Sequence, residues 1–307
     1  MIQQFHRPAT VREALALKKR YQGRASFLAG GTYLNSTPCA LCPEQRLRRG
    51  GPGSDRTERR HGAVVGPPCS TTCALRPPHV ISLAGLGLDR IERKRAAVVI
   101  GPLCTLQRLV EDRKVPAGLR AAAAQVVSRN VREMATLGGH VAAGPPYSDL
   151  IPMLVALDAR LGLSASGRAR TLHVAEYVAK PPAGLITRLI VPEVKPGRVA
   201  ACRNSRASAN GLSIVSAAVS ATVARGVVRK PIVALGGIAG HVVRLAAVEE
   251  ALEGKPLPAL DELQALVSRS VRPAADLSGS AEFRRYQAGV TVALALRDAA
   301  APKRGRS

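Results

Sequence analysis

Residues 129–161 read RNVREMATLGGHVAAGPPYSDLIPMLVALDARL, and the way this stretch alternates decides the fold class. The pair Gly138–Gly139 adjoins a regular segment, and from Asp149 onward apolar residues recur at helical spacing through Leu161. Asp149 and Asp158 flank the apolar core of that helix, Leu150 to Leu157; Asp149 is either its cap or a polar group meant for another partner, and Asp158 reads as structural. Outward from here, between Val80 and Pro192, short apolar segments (VISLAGL, AAVVIGPL, RLIVPE) alternate with helical ones (LQRLVEDRK, LRAAAAQVVSR). That is a mixed α+β pattern.

Toward the N-terminus, Thr10 is an N-cap for a helix over Val11 to Tyr21, and Ala25 to Ala29 is a short strand that ends on Gly30-Gly31. Toward the C-terminus a polar stretch, Val194 to Asn210, precedes two strands, Gly211 to Val223 and Val227 to Gly236, joined through the hairpin signal Arg225-Gly226. Helices follow: Arg244 to Glu253 closed by Gly254, Leu260 to Val271, and one from the cap Ser280 toward Ala301. The alternating Ala and Val residues of 211–236 read as core. Between Ser36 and Pro78 the hydrophobic period collapses, and the segment starting at Ser36 (STPCALCP) is nearly repeated 34 residues later at Ser70 (STTCALRP). This predicts four parts: 1–35, an irregular 36–78 containing a disordered insertion over 36–69, 79–195, and 196–307.

Composition narrows the function classes. With 307 residues and 46% hydrophobic content the chain can bury several cores, which excludes a small disulfide scaffold. No run approaches the roughly 20 apolar residues of a membrane span, and the charged first twenty residues do not fit an export signal, so the expected address is the cytoplasm. A net charge of +24 suggests a polyanionic partner, yet only nine of the 45 basic residues are Lys, the Arg are scattered, and aromatics are 3% with no Trp. The expectation is therefore no nucleic acid and no membrane, with basic faces left for acidic partner subunits.

Chemistry can reside at the two glycine pairs, Leu28-Ala29-Gly30-Gly31-Thr32-Tyr33-Leu34-Asn35 and Ala135 to Ala143. Adjacent glycines make either a plain turn or a nest in which successive N–H groups converge on an anion, with Thr32 and Thr136 adding hydroxyls. Neither matches the dinucleotide or P-loop pattern. Cys39, Cys42, Cys69 and Cys73 could supply four thiolates, but their irregular spacing at the ends of the repeat favours no metal site; Cys104, in an apolar stretch, reads as a buried filler.

Taken together the motifs resemble the FAD-binding middle subunits of molybdenum hydroxylases, of the xanthine dehydrogenase and carbon monoxide dehydrogenase type. The resemblance is carried by the Ala29–Leu34 loop, the I-G-x-x-x-T-L segment at Ile100 to Leu106, the whole of 129–161, and Leu235–Ala239, Ala251–Lys255 and Phe283–Tyr286 near the end. It implies an α+β flavoprotein fold in which two subdomains clasp FAD and a C-terminal domain, a small antiparallel sheet with helices, packs alongside. It further implies that Leu28, Ala29, Gly30, Gly31, Thr32, Tyr33, Leu34 and Asn35 wrap the diphosphate, and that Thr136, Gly138, Gly139 and His140 meet it from the second subdomain. By the same resemblance Asp149 belongs near the adenine ribose and Leu185 and Ile186 near the flavin ring. Relatives of this type carry Asp where Tyr33 stands, Asn where His140 stands, and a basic residue where Cys202 stands, with Arg203 adjacent. No catalytic side chain is expected on this chain. A molybdopterin-binding large subunit and a [2Fe–2S] small subunit are the implied partners, and NAD is a candidate acceptor. The alternatives are a self-contained flavin oxidoreductase of the same superfamily and a scaffold subunit that has lost FAD.

Overall fold

Three parallel strands organise the N-terminal unit, Met1–Leu86. The computed structural model describes residues 2–32, 59–60, 63–64, 77–165, 168–193, 198–205, 211–276 and 279–301. β1 (Gln4–His6) leads into α1 (Val11–Tyr21), whose cap is Thr10: its hydroxyl accepts the Glu13 N–H at 3.1 Å. β2 (Ala25–Leu28) follows and runs out into the first glycine pair. β3 (Arg59–Arg60) and β4 (Ala63–Val64) form a short antiparallel pair. β5 (His79–Ser82) then enters between β1 and β2, parallel to both, with all four residues buried. At the start of β5 the His79 ring stacks on both Tyr21 and His6, which tilt against one another, and His6 Nε2 lies 3.2 Å from His79 Nδ1, tying β1, α1 and β5 together.

β5 corrects the expected boundary at residue 79. Its sequence looks like the opening of the second unit, but β1 and β2 have no hydrogen-bonding partner in their sheet until this strand fills the gap between them.

The second unit, Gly87–Ser307, carries two antiparallel sheets. In the first, β6 (Ile91–Lys94), β7 (Ala97–Ile100), β8 (Arg160–Ala165), β9 (Arg168–His173) and β10 (Leu185–Pro192) pair in the order β6-β7-β10-β8-β9. Between β7 and β8 run α2 (Leu106–Glu111), α3 (Ala117–Ala124), α4 (Arg129–Met134), α5 (Leu137–Ala143) and α6 (Leu150–Ala156); α7 (Val174–Ala179) follows β9. The second sheet orders β11 (Val199–Ser205), β12 (Ser213–Ala224), β13 (Val227–Gly236) and β14 (Val243–Arg244) side by side. α8 (Ala246–Leu252), α9 (Leu260–Ser270) and α10 (Ala281–Ala300) complete the chain, with Ser280 capping α10 by accepting the Phe283 N–H at 3.1 Å.

Packing explains the patterns. β12 is buried on both faces over Ser213–Val219 because helices cover both sides of its sheet: α6 on one, α8 and α10 on the other. The turn between β12 and β13 has Arg225 at φ 52° and Gly226 at φ 77°, the two left-handed residues that a tight hairpin of matching twist requires. Two further readings need correction. The polar stretch before Gly211 contains a real strand, β11, which is half-buried and so lacks a strong apolar period. The helix read through Leu161 stops at Ala156: Asp158 turns left-handed (φ 53°), its N–H and that of Ala159 return to Val155 and Leu154, and the chain enters β8.

α10 approaches α9 closely through Gly289, where an added Cβ would lie 2.6 Å from the Gln264 carbonyl oxygen and 2.7 Å from Ser268 Oγ. Gly289→Ala is therefore expected to lower stability by about 1–3 kcal/mol through overpacking, read as a drop in the urea midpoint at unchanged slope; an unchanged midpoint would show that the two helices separate freely.

Candidate functional site

The second glycine pair lies in the first turn of α5, and its main-chain donors are consumed within the protein. Leu137 N–H donates to the Cys104 carbonyl at 2.9 Å and Gly138 N–H to that of Pro102 at 2.8 Å. Gly139 N–H donates to Thr136 Oγ1 at 3.1 Å, and His140 N–H to the Thr136 carbonyl at 2.9 Å. The nest reading of this pair is thus corrected: the amides are engaged inside the protein. Gly138 is glycine for a packing reason, since a Cβ would come within 2.3 Å of Pro102 Cβ. Thr136 is itself buried, its hydroxyl capping the helix, and the His140 ring keeps some exposed surface.

The first pair is different in kind. Leu28 ends β2, Ala29 and Gly30 follow, and Gly31 turns to φ 69°, a conformation in which adjacent amides converge and in which a side chain is strained. Thr32 closes the described segment. Tyr33, Leu34 and Asn35, the repeat, and Cys39, Cys42, Cys69 and Cys73 lie outside the described residues, apart from the β3–β4 pair.

His140 and Asp149 are brought together by a residue that sequence reading passed over. Ser148 Oγ lies 2.8 Å from His140 Nε2 and accepts the Leu150 and Ile151 N–H groups at 3.1 and 2.9 Å, so Ser148, not Asp149, caps α6. A serine two residues ahead of an apolar helix was the available signal. Asp149 is free for another role: its carboxylate accepts the Ser213 hydroxyl at 2.5 Å and pairs with Arg203 at 3.4 Å. Burial pushes this carboxyl above the ordinary value, against the Ser213 hydroxyl and the Arg203 guanidinium.

The rest of the loop is held just as firmly. Gly237 N–H donates to the Pro146 carbonyl and Ser216 Oγ to that of Ser148, both at 2.7 Å, and Gly236 leaves the space the loop occupies. Tyr147 donates to Asp276, which also pairs with the buried Arg284 of α10. Leu185 and Ile186 begin β10, both 5% exposed; Ile186 belongs to the main core, and α5 packs against this strand. Cys104 is a buried thiol donating to the Asp89 carbonyl at 3.0 Å, its pKa pushed up to about 11 by burial, which suits a filler and not a thiolate.

Residues 68–194 match the model described as FAD binding domain in molybdopterin dehydrogenase, and 200–299 match CO dehydrogenase flavoprotein C-terminal domain. The Escherichia coli K12 protein YgfM is 36% identical over 95% of both chains. The chain belongs to the FAD-binding medium subunits of the molybdenum hydroxylases. The carbon monoxide dehydrogenase medium chain of Afipia carboxidovorans is 26% identical, covering 97% of this chain and 96% of that one. A solved carbon monoxide dehydrogenase from Hydrogenophaga pseudoflava shares the fold at TM-score 0.77 and 24% identity, covering 97% of each chain. FAD is the family's cofactor, and Gly31, with its left-handed backbone directly after a parallel strand, fits a diphosphate-wrapping turn. Among the described residues no helix is long and apolar enough to cross a membrane, and no three metal-ligating side chains converge.

His140 retains some exposed surface, yet the protein around its ring removes enough water to lower the pKa from 6.5 to about 4. Above 6.5 the ring is neutral in folded and unfolded chains alike. Between 6.5 and about 4 the unfolded chain takes up a proton that the folded chain refuses, so stability falls as pH falls; below about 4 the contribution is constant. Urea midpoints of the wild type and His140→Gln are therefore expected to keep a constant difference above pH 6.5 and to diverge below it, with the wild type losing more. Parallel profiles throughout would mean that the ring titrates normally.

Proposed function

We propose that this chain is the electron-transfer subunit of a molybdenum hydroxylase. It would receive electrons from [2Fe–2S] clusters on a small partner subunit, fed by a molybdopterin-binding large subunit, and deliver them to NAD or another acceptor. The support is the near end-to-end likeness to a carbon monoxide dehydrogenase medium chain. Bound FAD supplies the redox chemistry, accepting electrons singly and releasing them as a pair.

The chain's own residues bind and orient. In this reading Leu28 to Asn35 wrap the diphosphate, and the left-handed Gly31 lets the backbone turn around it. Thr136, Gly138, Gly139 and His140 are the second unit's share of the cofactor contacts. Asp149, fixed by Ser213 and Arg203, faces the adenine-ribose end, and Leu185 and Ile186 supply an apolar wall for the flavin ring. The high positive charge of the chain, +24, favours docking of acidic partner surfaces.

The test has two arms. Flavin absorption of the purified chain, followed by identification of the released chromophore, is expected to show about one FAD per chain. Gly31→Val, which puts a branched side chain at φ 69°, is expected to abolish retention while leaving far-ultraviolet circular dichroism unchanged. Co-purification of the chain from its native source is expected to bring molybdopterin and iron–sulfur subunits. A chain that carries no FAD and takes up none would be a scaffold, and one that turns over a small molecule unaided at full rate would be a self-contained oxidoreductase; either result overturns the proposal.

A further inference from the structure

We propose that Ser148 is a positioning residue for the cofactor site: its hydroxyl fixes His140 as the neutral ring with its proton on Nδ1, and that N–H is the donor the second glycine turn offers to bound FAD. The inference rests on the FAD reading above and adds the state of the ring and the residue that sets it.

Hydrogen-bond valence at Ser148 sets the tautomer of the ring. A serine hydroxyl has one hydrogen and two acceptor positions. At Ser148 both acceptor positions are filled by the Leu150 and Ile151 amides, which form the buried first turn of α6 and need an acceptor there. The single hydroxyl hydrogen is left for His140 Nε2 at 2.8 Å, which must then carry a lone pair. The reverse tautomer would ask the oxygen to accept a third hydrogen and would strand its own hydrogen in a site where Ser148 is 4% exposed. A doubly protonated ring meets the same obstacle, and desolvation adds to it. The serine cannot drift away to relieve this, because its carbonyl is held by Ser216 Oγ at 2.7 Å and its neighbour Asp149 by Ser213.

The proton is therefore on Nδ1. The main-chain N–H groups of Leu137 to His140 are all engaged within the protein, so Nδ1–H is the N–H that this turn has left, beside the hydroxyl hydrogen of Thr136. The charged groups on the adjoining loop and strand, Asp149 and Arg203, face one another. A neutral donor of fixed direction results, in place of a cation that would come and go with pH.

The experiment is nitrogen NMR of the full chain with labelled histidine, before and after addition of FAD, with binding followed in parallel by flavin fluorescence. The wild type is expected to show protonated Nδ1 and bare Nε2 between about pH 5 and pH 8, with FAD shifting the Nδ1 resonance. Ser148→Ala is expected to give mixed tautomers that titrate nearer the ordinary histidine value and to weaken FAD about tenfold, the worth of one hydrogen bond; Ser148→Thr restores both. A proton on Nε2 in the wild type, or an Nδ1 resonance that ignores FAD while fluorescence reports binding, overturns this inference alone. A wild type that binds no FAD overturns it together with the cofactor reading. Should Ser148→Ala fail to fold, the two wild-type measurements decide.

Discussion

Everything in the larger unit depends on burying a helix that has no solvent face. All seven residues of α6 are buried, packed against the β12–β13 hairpin and against α3 and α7, within the core that also takes in the five-stranded sheet. Leu150, Ile151, Met153, Leu154 and Val155 each contribute about 1.5–3 kcal/mol by leaving water. That gain is available only if the helix ends cost nothing in unpaired polar groups. At the start, Ser148 satisfies two amides and Pro152 has none to satisfy; at the end, Asp158 and Ala159 return their N–H groups to Val155 and Leu154.

Placing such a helix has a consequence for the site. The loop that leads into α6 must be as rigid as the helix, and it is tied to β11, β12, β13 and α10 through Arg203, Ser213, Ser216, Gly237 and Arg284. The C-terminal third is therefore part of the machinery that holds His140 and Asp149 in place, although it contributes neither. This gives a physical reason why residues 87–194 of the FAD-binding match share one compact unit with the C-terminal match over 200–299.

The sequence showed those features that depend on local chemistry. Thr10 and Ser280 were recognisable caps, Arg225-Gly226 a recognisable turn, and the alternating Ala and Val residues around it a recognisable core. Features set by distant partners were harder to see. β5 looks like the start of the second unit because only its pairing with β1 and β2 assigns it, and β11 is a strand by virtue of β12. At the site, the glycines were visible but their reason was not: Gly138 answers to Pro102, some thirty-six residues earlier in the chain. Ser148 was hidden by the acidic residue beside it, the more conspicuous cap candidate.

Native-state hydrogen exchange resolved to single amides tests the central claim most directly, that α6 and its capped entry join the two halves of the larger unit. The account predicts that the Leu150 and Ile151 amides exchange as slowly as those of β12 and β13, all through one global opening. Fast, independent exchange at Leu150 and Ile151 while β12 and β13 stay protected would contradict it, and would make the C-terminal sheet a separate module resting beside the cofactor domain.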